Sequence, residues 1–193
     1  LDSAHIQEME AEWRTRKRQR HGQAAELALY TAADAEACLN LFKPVEYGKP
    51  FEPGEGVRVV YRDAGHILGS ALIELEYDEN GKSTKLVFSG DLGRPHQLLV
   101  EDPSLVETTD YLFLESTYGD RNHNDVSNSL DELAEAVAYA HRNGEKVIIP
   151  AFAVERSQQI IYALSLLREQ GRLPADMPVY LDSPLAIQAT EVF

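Results

Sequence analysis

Three stretches hold side chains that could do chemistry together. Tyr61-Arg62-Asp63-Ala64-Gly65-His66-Ile67-Leu68-Gly69-Ser70 offers an imidazole, His66. Phe88-Ser89-Gly90-Asp91-Leu92-Gly93-Arg94 offers a carboxylate, Asp91. Tyr111-Leu112-Phe113-Leu114 runs into Glu115-Ser116-Thr117-Tyr118-Gly119 and offers a second, Glu115. Each is an apolar run, read as a strand, that ends near glycine and one ligand-type side chain. Glycine lets the backbone turn sharply and approach whatever those side chains hold. In open α/β sheets, sites lie beyond the carboxyl ends of strands. One histidine and two carboxylates converging there suggest a metal hydrolase. Alone, His66 would read as a histidine bonded to backbone, and Asp91 as a turn-forming residue. Their shared placement at successive strand ends raises the metal reading above both.

The elements that must position these residues follow from periodicity. Residues 2–19 read as a helix, with Ile6, Met9 and Trp13 at helical spacing. Thr31-Ala32-Ala33-Asp34 resembles a capping box with Asp in place of Glu or Gln. It opens a second helix, with Ala35, Cys38, Leu39 and Phe42 on one face and Pro44 as its stop. Residues 50–56 read as a loop and 57–61 as a strand. Residues 71–89 read as a β-hairpin turning at Asn80-Gly81. Residues 127–142 read as a helix with Leu130, Leu133, Ala134, Val137 and Ala140 in one stripe, capped by Gly144. Residues 146–150 read as a short buried strand, 156–169 as a helix and 179–181 as another strand. A further helix follows Pro184. Strand and helix alternate in this second half, which predicts a parallel sheet there.

The chain has 193 residues and a net charge of −14. That length allows one or two domains and a sizeable core. The acidity argues against a broad nucleic-acid-binding surface. The exception is Arg14-Thr15-Arg16-Lys17-Arg18-Gln19-Arg20, five basic residues in seven. It reads as a phosphate-contacting patch or, the favoured reading, as a solvated helix end that complements the helix dipole. The single Cys38 reads as a small buried hydrophobe, and with it a reducing, cytoplasmic home. No run approaches the ~20 apolar residues of a membrane span. The chain starts without Met and ends inside an apparent helix, so a central piece of a longer protein is expected.

Five motifs carry a resemblance. They are Ala64-Gly65-His66-Ile67-Leu68-Gly69-Ser70-Ala71, Phe88-Ser89-Gly90-Asp91-Leu92-Gly93-Arg94, Leu114-Glu115-Ser116-Thr117-Tyr118-Gly119-Asp120-Arg121, Ile149-Pro150-Ala151-Phe152-Ala153-Val154-Glu155-Arg156-Ser157-Gln158 and Tyr180-Leu181-Asp182-Ser183-Pro184-Leu185-Ala186. In this order they resemble the β-CASP branch of the metallo-β-lactamase superfamily. That branch includes RNase J and the endonuclease that cleaves pre-mRNA before polyadenylation. The resemblance covers essentially the whole chain.

The resemblance implies an α/β fold: part of a metallo-β-lactamase αββα fold over residues 1–142, then the start of a parallel-sheet β-CASP domain over 143–193. It implies a two-zinc site, with manganese as an alternative metal, and RNA as substrate. His66 matches a zinc ligand and Asp91 the carboxylate that bridges both metals. Glu115 matches an acidic residue that holds a later histidine, the one that protonates the leaving oxygen. A carboxylate bridge fixes two metals ~3.5–4 Å apart, where they activate water and steady an in-line displacement. The family's His-x-His-x-Asp-His motif and its later histidines are absent from these 193 residues. The chain alone is therefore expected to be inactive.

Four further residues are candidate substrate contacts. His123 follows Tyr118-Gly119-Asp120-Arg121 and reads either as a phosphate contact or as a surface histidine. Arg156 could aim a guanidinium at phosphate or pair with a neighbouring carboxylate. Asp182 and Ser183 could rest an anion on a helix start, or simply cap that helix ahead of Pro184. The rivals to a ribonuclease are a non-catalytic homologue that binds RNA or protein, and a superfamily hydrolase of small esters or thioesters. A homodimer is compatible with all three.

Overall fold

The computed structural model describes residues 1–121 and 128–193. It divides into two compact units, Leu1–Val45 and Glu46–Phe193.

The first unit is a helix pair, α1 (Asp2–Gln19) and α2 (Ala32–Leu39). The basic cluster lies at the end of α1 and is largely neutralised. Arg14 bonds Glu10 and Glu26, both at 2.9 Å, Arg18 bonds Glu26 at 3.0 Å, and Arg16 bonds Glu12 at 3.3 Å. Those pairings support the solvated helix end over a phosphate patch. The Thr31–Asp34 capping box is formed in both directions. Two expectations change here. The second helix ends at Leu39, short of Pro44, and Cys38 is exposed. No residue of α2 is buried. The burial in these two helices falls on Ala4 and Ala11 of α1 instead.

The second unit is built on a five-stranded mixed sheet in the order β1-β2-β3-β4-β5. The strands are β1 (Phe51–Gly54), β2 (Val57–Asp63), β3 (Ala71–Glu79), β4 (Lys82–Phe88) and β5 (Tyr111–Phe113). The fold class is therefore α/β. The expected loop at 50–56 is partly strand, because β1 pairs antiparallel with β2 and Phe51 packs edge-on against Tyr61. The hairpin β3–β4 turns through Asn80 and Gly81, both at positive φ (52° and 79°). That two-residue turn matches the twist of the flanking strands. Glu74 is buried in the centre of β3 and pairs with Arg62 of β2 and Lys85 of β4, each at 2.5 Å. Burial opposes its ionised form, but the two cations prevail and hold its pKa below the usual carboxylate value.

Strand direction matters most for function. β2 and β4 are each antiparallel to β3, and β5 is parallel to β4. The carboxyl ends of β2, β4 and β5 therefore share one rim of the sheet. Phe88 and Phe113 stack at 4.6 Å where β4 and β5 end.

Beyond the sheet lie α3 (Ser129–Asn143), α4 (Arg156–Glu169) and α5 (Pro184–Thr190). Gly144 ends α3 in the left-handed conformation at φ 66°, as its type requires. Ala134 and Val137 of α3 pack with Leu164, Leu167 and Leu173, the last beyond the end of α4. Residues 146–150 and 179–181 are not strands. Both are irregular, and Ile148 and Tyr180 are 87% and 86% exposed. A strand exists only as part of a ladder, and neither segment has a pairing neighbour among the described residues. No parallel sheet forms after β5 among those residues.

Candidate metal centre and its rim

His66 sits in a loop that closes on itself. Gly65 N–H donates to Asp63 Oδ1 at 2.8 Å, and the Ser70 hydroxyl accepts from the N–H groups of His66 and Ile67 at 3.1 and 3.2 Å. Ala64 N–H donates to Ser70 O, so residues 64–70 are pinned at both ends. Gly65 has φ +62°, and a Cβ there would lie 2.7 Å from Pro103. Only glycine suits that position.

The Asp91 loop docks directly onto this one. Gly93 N–H donates to Ala64 O at 2.8 Å. A Cβ on Gly93 would lie 1.6 Å from Gly65 O. The two backbones therefore touch with no room for a side chain. This contact brings His66 Nε2 to 4.0 Å from Asp91 Oδ2, with Asp91 79% exposed.

Glu115 reaches the same place from β5. Its N–H donates to Ser89 Oγ at 3.0 Å, and its Oε1 accepts from Leu92 N–H at 2.7 Å. The Thr117 hydroxyl, followed by the Leu92 N–H, holds its carboxyl below the usual range. The anchoring this provides is complete above the ordinary carboxylate pKa and is lost as pH falls through the lower folded value. The Leu92 amide resonance is therefore expected to titrate with a midpoint below ~4.3, the ordinary glutamate value. A midpoint above that value would contradict the anchoring.

His66 and Asp91 fit a cation as two members of a ligand set. Donors bound at ~2.0–2.2 Å to one zinc ion can be no more than ~4.4 Å apart. A spacing of 4.0 Å lets both reach the same ion. No group of three such side chains occurs among the described residues. Zinc sites need three or four protein ligands. The 193-residue chain alone is thus expected to hold zinc weakly. Metal analysis after dialysis checks this, and two tightly held ions per chain would contradict it.

The remaining candidates are dispersed. Arg156 opens α4, donates to Gln159 Oε1 at 3.0 Å, and lines a cavity of ≈ 250 Å³ with Arg94, His96 and Gln97. Ser183 caps α5, accepting from Ala186 N–H at 3.2 Å, with Pro184 in the first turn. Asp182 precedes it in irregular backbone. His123 lies outside the described residues. The sequence reading missed Gln97 and Glu155. Gln97 donates to Gly65 O at 2.6 Å, and Glu155 is buried at the start of α4.

His66 and Asp91 face each other at 4.0 Å where β2 and β4 end, and Glu115 is anchored to the residue after Asp91. Comparison with known proteins narrows the class. No family model matches the chain. It is 39% identical over 153 residues to ribonuclease TTHA0252 of Thermus thermophilus, covering 79% of this chain and 34% of that protein. It is 35% identical over 168 residues to an RNase J-like protein of Methanocaldococcus jannaschii, covering 85% and 38%. Cleavage and polyadenylation specificity factor 73 of Drosophila melanogaster is 28% identical over 173 residues, covering 88% and 24%. The chain belongs to the β-CASP branch of the metallo-β-lactamase superfamily. It spans about a third of the length of the first two relatives. Among the described residues, no helix is long and apolar enough to cross a membrane.

Proposed function

We propose that the protein containing this chain is a metal-dependent phosphodiesterase that hydrolyses RNA, acting in the cytoplasm. The observation that carries the reading is the rim, where His66 Nε2 and Asp91 Oδ2 stand 4.0 Å apart beside an anchored Glu115. Names of relatives that include a ribonuclease and an RNase J-like protein support the substrate class. In this reading residues 1–142 are metallo-β-lactamase domain and 143–193 open the β-CASP domain. The metal is a pair of zinc ions, with manganese as the alternative.

His66 and Asp91 would hold the metal, Asp91 by bridging with its exposed carboxylate. When bound, two such cations lower the pKa of water and stabilise charge on both oxygens of an in-line displacement. The chain's own contribution is orientation. The Gly65–Gly93 contact fixes the spacing of the two donors, so little reorganisation is needed when substrate arrives. Glu115 has both oxygens engaged, by Leu92 and by Thr117 at 3.4 Å. A carboxylate held so firmly is suited to orienting a neighbouring histidine. Arg156 offers a planar guanidinium beside its cavity, suited to a phosphate oxygen pair. His123, Asp182 and Ser183 complete the proposed substrate contacts.

The test is single-turnover cleavage of a labelled RNA by the protein at the relatives' full length. Cleavage should require zinc or manganese, stop on chelation and return when metal is restored. Intact RNA alongside hydrolysis of a thioester or lactam would overturn the nuclease reading and leave only the superfamily.

A further inference from the structure

Glu155 combines three features that rarely coincide. Its backbone lies at φ 68°, ψ −61°, and Arg156 N–H donates to Val154 O at 2.9 Å across it. That is the strained form of the γ-turn, seldom adopted by a residue with a side chain. The residue is only 4% exposed. Its Oε2 has no hydrogen-bond partner among the described residues. A buried carboxylate oxygen left open is costly. Strain and an unsatisfied acid together mark a position held for a purpose other than stability.

The purpose follows from what Glu155 is tied to. Gln159 Nε2 donates to Glu155 Oε1 and to Gln97 Oε1, each at 3.0 Å. Gln97 Nε2 donates to Gly65 O at 2.6 Å. Arg156 donates to the remaining oxygen of Gln159. The relay has one consistent sense. Turning over either amide would set nitrogen against nitrogen or oxygen against oxygen. It runs from the first turn of α4 to the residue beside His66. Desolvation pushes the Glu155 carboxyl up in pKa, opposed by Gln159, the Leu68 backbone N–H, Arg156 and the His66 imidazole. Glu155 is thus tied to the His66 loop through the two glutamines, and the Leu68 N–H of that loop faces its carboxyl.

We propose that Glu155 is a positioning residue for His66: its carboxylate and the Gln159–Gln97 relay hold residues 64–70 in register with the Asp91 loop. The relay also joins Arg156 to that loop, so the phosphate-facing guanidinium and the metal-facing imidazole are set by one hydrogen-bond chain. The inference rests on reading His66 as a metal ligand, yet the relay can be tested without metal.

The experiment is amide hydrogen exchange on the metal-free protein and its Glu155→Gly variant, with thermal melting alongside. Glycine relieves the γ-turn and removes the open carboxylate, so the melting midpoint should hold or rise. Exchange at residues 65–70 should nonetheless quicken at least tenfold, while the β3–β4 hairpin stays as in wild type. A purely structural residue would lower the midpoint as exchange quickened. Gln159→Leu, which cuts the relay and leaves the turn, should quicken the same amides. Unchanged exchange at 65–70 in both variants overturns the proposal. So does faster exchange that extends equally through the hairpin. If wild-type protein at full length binds no zinc, the metal reading fails, and the exchange result still decides the relay.

Discussion

Replacing Asp91 by alanine is expected to lower RNA cleavage by the full-length protein by at least a thousandfold, with the sheet intact. The side chain is 79% exposed and faces His66 at 4.0 Å. Its loss removes no packing, and the circular dichroism spectrum and melting midpoint should stay within error of wild type. What it removes is the carboxylate opposite His66 and, in the proposed site, a ligand that would hold the metal. Each tenfold loss in rate is ~1.4 kcal/mol of barrier. Losing a metal clamp costs several such units. Glu115→Gln should cost less, because an amide oxygen can still accept from Leu92 N–H and only the orientation of a neighbour suffers. Single-turnover kinetics on both variants, with zinc or manganese present, gives the order directly. Equal losses at Asp91 and Glu115 would contradict the division of roles.

The second large effect is expected from one methyl group. Gly93→Ala would place Cβ 1.6 Å from Gly65 O and 2.0 Å from its carbonyl carbon. Both atoms are backbone, so no rotamer change relieves the clash. The Asp91 loop must lift, and the Ala64–Gly93 hydrogen bond must break. Overpacking a filled site costs ~1–3 kcal/mol and sometimes more. A backbone collision this deep belongs at the top of that range. Denaturant unfolding should show a lower midpoint with an unchanged slope. Zinc affinity in the full-length protein should fall with it, because the two donors no longer share a fixed spacing. A Gly93→Ala protein of wild-type stability and zinc affinity would show that the loop contact does not set the site.

The rim was legible in the sequence because its geometry is local. His66, Asp91 and Glu115 each follow a strand by two or three residues, and the single antiparallel strand β3 between β2 and β4 makes those two run in the same direction. The Asn80-Gly81 turn and the Gly144 cap were legible for the same reason, since each depends on one residue's backbone freedom. The strands expected at 146–150 and 179–181 were not, because an apolar run cannot report whether a neighbouring strand exists to pair with it. Cys38 was placed inside by its helical stripe, but a stripe says nothing about what covers it. The part played by Glu155 was hidden by distance, since it acts on a loop some ninety residues earlier in the chain. Its trace in the sequence was a glutamate directly ahead of a helix, where Ser, Thr, Asp or Asn is usual. Gln97 left no trace at all, being one polar residue in an irregular loop.

Anomalous diffraction at the zinc edge from crystals of the full-length protein tests the central claim most directly. A strong peak should lie within ~2.0–2.3 Å of both His66 Nε2 and an Asp91 carboxylate oxygen. A second peak should lie ~3.5–4 Å from the first, on the other side of Asp91. Zinc bound elsewhere, with His66 and Asp91 free of it, would contradict the account.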